Sequence, residues 1–312
     1  MKSVFMFPGQ GSQSVGMMRT LIEDFAEARN VFQRASEATN LDLTKIALEG
    51  PVEEINKTAI TQPIVLTASV AMWAVWQSKS NLKPDFVCGH SLGEYTALVA
   101  SGVLALEDAV RLVHTRGQLM QDAVPLGQGA MAALLGLDDD AVIAVCEEAG
   151  QGQVVSAANF NSPGQVVISG ATEALERALV LAKEKGARRA AMLPVSVPCH
   201  CSMLEPAGQA LAEEIAKLSF AAPTIPIMQN VCAEIPQDLD ALKHNLLEHL
   251  HQPVKWSASI QALVAQDAGL FVECGPGKVL SGLNKRIARD AKTLTMNDAE
   301  SLESVLASFS PA

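Results

Sequence analysis

Alternating strand and helix signals, a glycine-framed serine at one strand-to-helix junction and a stretch ordered β-α-β-β-α-β predict an α/β fold. A mostly parallel sheet is covered by helices and interrupted by a small inserted domain. With 312 residues, 49% apolar and 18% charged, the chain can bury the core of one large or two modest domains. A formal net charge of -11 argues against a general nucleic-acid binder, because neutralising phosphates needs clustered Lys and Arg. The six cysteines are scattered and include no CxxC pair, a poor fit to a disulfide framework or a zinc site. The start has too short an apolar run for a signal peptide, and no run of about eighteen apolar residues occurs. The expectation is a soluble, unprocessed, cytoplasmic protein with no membrane partner.

The first strand is the apolar run Val4-Phe5-Met6-Phe7, ended by Pro8 and followed by the loop Gly9-Gln10-Gly11-Ser12-Gln13. That loop lacks the Gly-Lys-Ser/Thr of a P-loop and the close third glycine of a dinucleotide fingerprint. It is suited instead to aiming backbone N–H groups at an oxyanion. Helical spacing covers 23–39 and 61–77, the second opening with Thr61-Gln62-Pro63, where proline suits a first turn. Next comes Gly89-His90-Ser91-Leu92-Gly93, between a strand at 85–88 and a helix from about Leu92. So sharp a turn needs small flanking residues, and it lifts the serine oxygen clear of the sheet beside a helix N-terminus. Ser91 is therefore the candidate nucleophile.

Over 104–122, Leu106, Ala109, Val113, Arg116 and Met120 form one stripe of a helix, whereas Arg111 shares a face with Asp108, Thr115 and Gln118. Arg116 thus sits where a core residue belongs. A buried guanidinium must meet an internal carboxylate or an anionic ligand, or else snorkel to the surface. From 129 to 194 the elements run strand, acidic-start helix, two strands around Asn161-Ser162-Pro163-Gly164, helix, strand. This ferredoxin-like order marks 127–195 as a small domain inserted into a discontinuous body formed by 1–126 and 196–312. A cleft between two bodies is a common ligand site. Further strands at 225–230, 269–274 and 293–296 and helices at 239–250, 254–266 and 278–289 complete the larger body.

A serine nucleophile needs a base, and histidine is the usual one. His90 adjoins Ser91 but leaves the elbow in another direction, and His114 lies off the Arg116 stripe. His244, His249 and His251 cluster on a polar helix and its end, where surface histidines are common. His200, in the loop after the insert, is best placed at the cleft mouth. Adjacent Cys199, His200 and Cys201 do not converge on one tetrahedral metal ion.

Together these motifs resemble the malonyl-CoA:acyl carrier protein transacylases of bacterial fatty acid synthesis and, more distantly, the acyltransferase domains of polyketide synthases. The resemblance runs from Phe7-Pro8-Gly9-Gln10-Gly11-Ser12-Gln13 through Thr61-Gln62-Pro63, Gly89-His90-Ser91-Leu92-Gly93-Glu94, Arg116-Gly117 and Asn159-Phe160-Asn161-Ser162-Pro163. It continues in Ser196-Val197-Pro198-Cys199-His200 and ends with Glu273-Cys274-Gly275-Pro276-Gly277. It implies a hydrolase-like α/β catalytic domain and ping-pong transfer of malonyl from coenzyme A to a carrier-protein thiol. Ser91 would be the nucleophile and His200 the base, with the Gln10 and Leu92 N–H groups as oxyanion hole. Arg116 would hold the malonyl carboxylate, Gln62 would line the pocket, and the backbone carbonyl of His249 would orient His200. His249 stands where this family commonly has glutamine and Cys199 where serine is usual. The resemblance implies no cofactor, and malonyl-CoA and acyl carrier protein as the partners of a monomer. An acidic carrier needs a local basic patch, for which Arg188 and Arg189, or Lys285, Arg286, Arg289 and Lys292, are candidates.

Overall fold

The computed structural model describes residues 1–195 and 197–309; Ser196 of the histidine motif lies outside the described residues. Nine strands are present among them: β1 Lys2–Phe7, β2 Phe86–Gly89, β3 Gly129–Leu135, β4 Val155–Ser162, β5 Gln165–Ala171, β6 Arg189–Met192, β7 Ile227–Met228, β8 Ala268–Cys274 and β9 Lys292–Met296. Five build one sheet in the order β7-β2-β1-β8-β9, parallel at every junction. The other four build a separate sheet, β4-β5-β3-β6, antiparallel throughout.

The central strand shows why the large sheet is covered on both faces. Alternate side chains of a strand point to opposite sides, and here both sides are apolar. Phe5 and Phe7 enter a core with Trp73 and Trp76, Phe5 meeting the two indoles edge-on at 5.6 and 5.2 Å. Val4 and Met6 enter a second core with Trp256 and Phe271. The helix Thr58–Lys79 fills the first of these; it is apolar and long enough to span a membrane, yet 94% of its most apolar window is buried in the fold.

The small sheet also uses its two faces differently. Ala130, Ala132 and Leu134 of β3 and Val166 and Ile168 of β5 pack under the helices Asp139–Gly150 and Thr172–Glu184. Met131 and Val167 point the other way, toward Leu193, Val195 and Cys199. That second face roofs a cleft against the large sheet. Main-chain bonds tie the two sheets' bodies together, Phe160 N–H to Val254 O at 3.0 Å and Val254 N–H to Ala158 O at 2.9 Å.

Several elements depart from expectation. The helix expected over 23–39 is two, Arg19–Asp24 and Ala26–Thr39, because Phe25 between them is extended. The helix expected from 61 starts at Thr58, which puts Pro63 inside it. Proline lacks the N–H that would bond the carbonyl four residues back; that carbonyl, Ala59 O, instead accepts from His114 Nδ1 at 2.8 Å. His114 thus replaces the missing helix bond. The strand expected over 225–230 shrinks to two residues, and helices Leu43–Glu49, Glu205–Ile215 and Ala299–Phe309 join the fold without having been expected.

Candidate active site

The junction after β2 is as tight as its glycines imply. A Cβ on Gly89 would collide with the Gly93 carbonyl group, and one on Gly93 with Phe7 O of the neighbouring strand. Ser91 takes φ 51°, the left-handed region, which costs a non-glycine residue about 1–2 kcal/mol. His200 is the second such residue in the site, with φ 61°. The helix Gly93–Ala100 starts directly behind the serine. Among the described residues, the N–H groups of Gln10 and Leu92 have no acceptor within the protein, and both residues line the same cavity as Ser91.

Ser91 Oγ lies 2.7 Å from His200 Nε2. On its other side, His200 Nδ1 donates to His249 O at 3.0 Å and Gln252 O at 3.2 Å. Both partners are carbonyls and only accept, so the ring proton sits on Nδ1 and Nε2 is free to accept from the serine hydroxyl. Burial, helped by the positive Arg116 and by His90, pushes the His200 pKa down to about 3. The imidazole is therefore neutral at physiological pH, the form a base needs.

Arg116 is 1% exposed and forms no ion pair among the described residues. Of the three readings open from sequence, neither snorkelling nor an internal salt bridge fits. Its Nη1 donates to Gln62 Oε1 at 2.8 Å, and the guanidinium lies over the Tyr95 ring at 5.4 Å. Nε and Nη2 are buried without a partner. The helix Leu106–Ala123 that carries it approaches Thr58–Lys79 closely because Gly117 faces Ala59, where a Cβ would come within 2.6 Å of the Ala59 Cα. Gln62 does not line the cavity, contrary to its expected place. It is fully buried, holding the guanidinium from behind and donating to Met120 Sδ at 3.2 Å.

The cavity, about 230 Å³, is bounded by Gln10, Ser91, Leu92, Arg116 and His200, with Met120, Met131, Val167 and Leu193 as its apolar wall. Cys199 also lines it, its thiol pushed by burial up to about 12 and so unreactive. His90 turns away from the serine, its Nε2 donating to Asn161 Oδ1 across the cleft at 2.7 Å.

Corrections and additions come from behind the elbow. His249, expected on the surface with its neighbours, is fully buried, its ring 5.6 Å from that of His200. Glu94 is buried in an otherwise apolar helix; desolvation lifts its pKa to about 7, opposed by Asn230 N–H, Gln229 and the charge of Arg116. Glu94, Asn230 and Gln252 were missed from sequence. The lone acid of 93–100 is a readable signal for the first. The other two gain meaning only from the strand and loop that bring them here. No group of three or more His, Cys, Asp or Glu among the described residues is arranged to hold a metal ion.

Known proteins resemble this chain over nearly its whole length. The family described as "Acyl transferase domain" matches residues 4–304. The "Malonyl CoA-acyl carrier protein transacylase" of Salmonella typhimurium is 49% identical over 302 residues, 97% of this chain and 98% of that protein. The crystal structure of an acyl carrier protein S-malonyltransferase from Vibrio cholerae superposes with a TM-score of 0.96 at 49% identity, covering 98% of this chain and 100% of that one. A structure of a type II PKS acyl-carrier protein in complex with its malonyl-transacylase gives 0.97 at 45%, covering 99% and 100%. A likeness that spans both sheets and reaches from the first strand to the last helix is not a shared turn alone: the chain belongs to the family of acyl transferase domains.

Proposed function

We propose that this protein moves a malonyl group from coenzyme A to the phosphopantetheine thiol of acyl carrier protein through an ester on Ser91, supplying fatty acid synthesis. The observation that carries the reading is Arg116: two buried, unpartnered guanidinium nitrogens in the wall of the cavity that holds Ser91 and His200. A neutral acyl group such as acetyl has no charged acceptor at its far end to offer them. The free carboxylate of malonyl supplies a planar, bidentate acceptor of matching charge.

In the first half-reaction Ser91 Oγ attacks the thioester carbon as its proton passes to His200 Nε2. The oxyanion is met by the Gln10 and Leu92 N–H groups, each such donor being worth roughly 10² to 10³ in rate. The carbon–sulfur bond breaks and the coenzyme A thiolate takes the proton from the imidazolium. The carrier thiol then runs the same steps in reverse. The His249 and Gln252 carbonyls stabilise the imidazolium by accepting from Nδ1, the role an aspartate has in other serine enzymes. Serine, imidazole and backbone dipoles suffice for acyl transfer, so the reading calls for no cofactor.

Arg189 and Arg286, one residue from each candidate basic patch, come together beside Gln165, whereas Lys292 opens β9 at the sheet end away from the elbow. Arg189 pairs with Leu135 and Leu135 with Gln165 in adjacent strands, and Gln165 accepts from Arg286 Nη1 across the cleft at 2.8 Å. Gln165 lines the cavity. An acidic carrier laid over this mouth reaches the serine with its prosthetic arm. We further read the protein as a cytoplasmic monomer, and residues 127–195 as a domain inserted into 1–126 and 196–312.

Intact and peptide mass after brief mixing with malonyl-CoA or acetyl-CoA tests the reading. A malonyl adduct on Ser91, discharged by added carrier, is the expected result, with little acetyl adduct. Charge reversal at Lys285 and Arg286 slows the discharge alone. No adduct, or one released as free malonate before the carrier is added, rejects the transferase in favour of a binder or a hydrolase.

A further inference from the structure

Asn230 does not line the cavity, yet both polar atoms of its side chain bond the serine turn. β7 pairs in parallel with β2, Val87 with Ile227 and Cys88 with Met228, so the chain two residues beyond β7 runs beside the elbow. There Asn230 is fully buried. Its Oδ1 accepts from Ser91 N–H at 2.8 Å, and its Nδ2 donates to Gly89 O at 2.7 Å. Its own main chain is fixed as well, the N–H to Glu94 Oε2 at 2.8 Å and the carbonyl to Lys255 N–H at 3.0 Å.

The left-handed backbone of Ser91 would relax if left alone, since nothing intrinsic to serine favours it. A carboxamide is a donor and an acceptor about 2 Å apart in one rigid plane. Laid across the turn, it bonds the residue before His90 and the residue after, so the turn cannot open without stranding two buried polar groups. Leu92, whose N–H has no acceptor among the described residues, follows in the same turn and lines the cavity. Asn230 Oδ1 also lies 3.4 Å from His249 Nε2, and His249 O is one of the two carbonyls that hold His200. One side chain therefore touches the supports of both reacting groups.

We propose that Asn230 is a positioning residue for the nucleophile, a clamp that keeps the Ser91 turn in its strained form and sets the serine at hydrogen-bond distance from His200. The proposal rests on the reading of Ser91 as nucleophile. It predicts an effect on the rate of acylation with none on ground-state binding, because Arg116 and the apolar wall lie elsewhere.

The test is rapid-quench mass spectrometry of the Ser91 adduct in the parent, Asn230→Ala and Asn230→Asp proteins over a range of malonyl-CoA concentrations. Malonyl-CoA affinity is measured in parallel in the Ser91→Ala background with and without Asn230→Ala. Asn230→Ala is expected to slow acylation about 100-fold with KM within about twofold of the parent. Asn230→Asp keeps only the acceptor for Ser91 N–H and loses about tenfold. Where the alanine variant fails to fold by circular dichroism, the aspartate variant, of the same size, decides by the same criteria. Acylation at the parent rate in a folded variant overturns the clamp while leaving the nucleophile intact. Loss of affinity in step with rate overturns it too, as a merely structural role. A parent that forms no Ser91 adduct overturns the nucleophile reading itself, and the clamp with it.

Discussion

The two ends of the cavity are built on opposite principles. At the serine end the reacting side chains are paired, Ser91 Oγ with His200, His200 Nδ1 with two carbonyls and Ser91 N–H with Asn230, and the Gln10 and Leu92 N–H groups are left open among the described residues. What is stored there is backbone conformation, at Ser91 and His200. At the arginine end the helix is regular and what is stored is charge, a guanidinium 1% exposed with two nitrogens unsatisfied. At the first end the nucleophile and base are already in place without substrate, as preorganised chemistry requires. On the proposed reading the second is completed by substrate, as selectivity requires, since a site with an unpaired buried charge penalises every ligand that fails to pair it.

The largest expected effect breaks the serine end. His200→Ala leaves Ser91 without an acceptor for its proton, and malonyl transfer should fall by about 10⁴-fold, with coenzyme A binding retained. Steady-state and single-turnover rates check this; a loss under about tenfold would show that the imidazole is structural. The parent sharpens the point through pH. His200 resists protonation down to about 3 rather than the ordinary 6.5, so acylation should not fall as pH drops through 6.5.

Substitution at the other end should behave differently in kind. Arg116→Met removes the proposed partner of the malonyl carboxylate, which should cost malonyl transfer about 10²- to 10³-fold while acetyl transfer is unchanged or improved. The same change replaces an unpaired buried charge by an apolar side chain, so the melting temperature should rise, or at least not fall. Equal losses for both acyl groups would refute the assignment. A large drop in melting temperature would mean the guanidinium is already satisfied in the empty site.

The sequence makes the two ends legible to different depths. Arg116 stands out because a single charged residue on an apolar helical stripe is anomalous wherever the helix lies. Ser91 is legible because its turn is specified locally by flanking glycines. The small sheet is legible because its six elements follow in chain order. What escapes is whatever depends on residues distant in the chain. Asn230 matters through a neighbouring strand, and Gln252 through a carbonyl that any residue has. His249 looks like a surface histidine of a polar helix end, and is buried because Tyr95 and His200 close over it. Pro63 signals a helix start by propensity, a signal overridden where His114 takes up the carbonyl it frees.

The smallest effect concerns the buried acid beneath the elbow, and it asks whether the serine end is as free of stored charge as its pairing suggests. Desolvation raises Glu94 from 4.5 to about 7. The unfolded chain releases that proton near 4.5, the folded protein only near 7. The contribution of Glu94 to stability is therefore full below 4.5 and is lost as pH rises through 7. Glu94→Gln carries no such proton, so its melting temperature relative to the parent should increase between about pH 5 and about pH 8, by a few degrees at most. Acyl transfer at low pH should change little, because a glutamine oxygen can still accept from Asn230 N–H. If the parent instead gains on the variant as pH rises, the carboxylate is the favoured form. Glu94 and Arg116 then share a stabilising field, and the two ends are electrostatically one site.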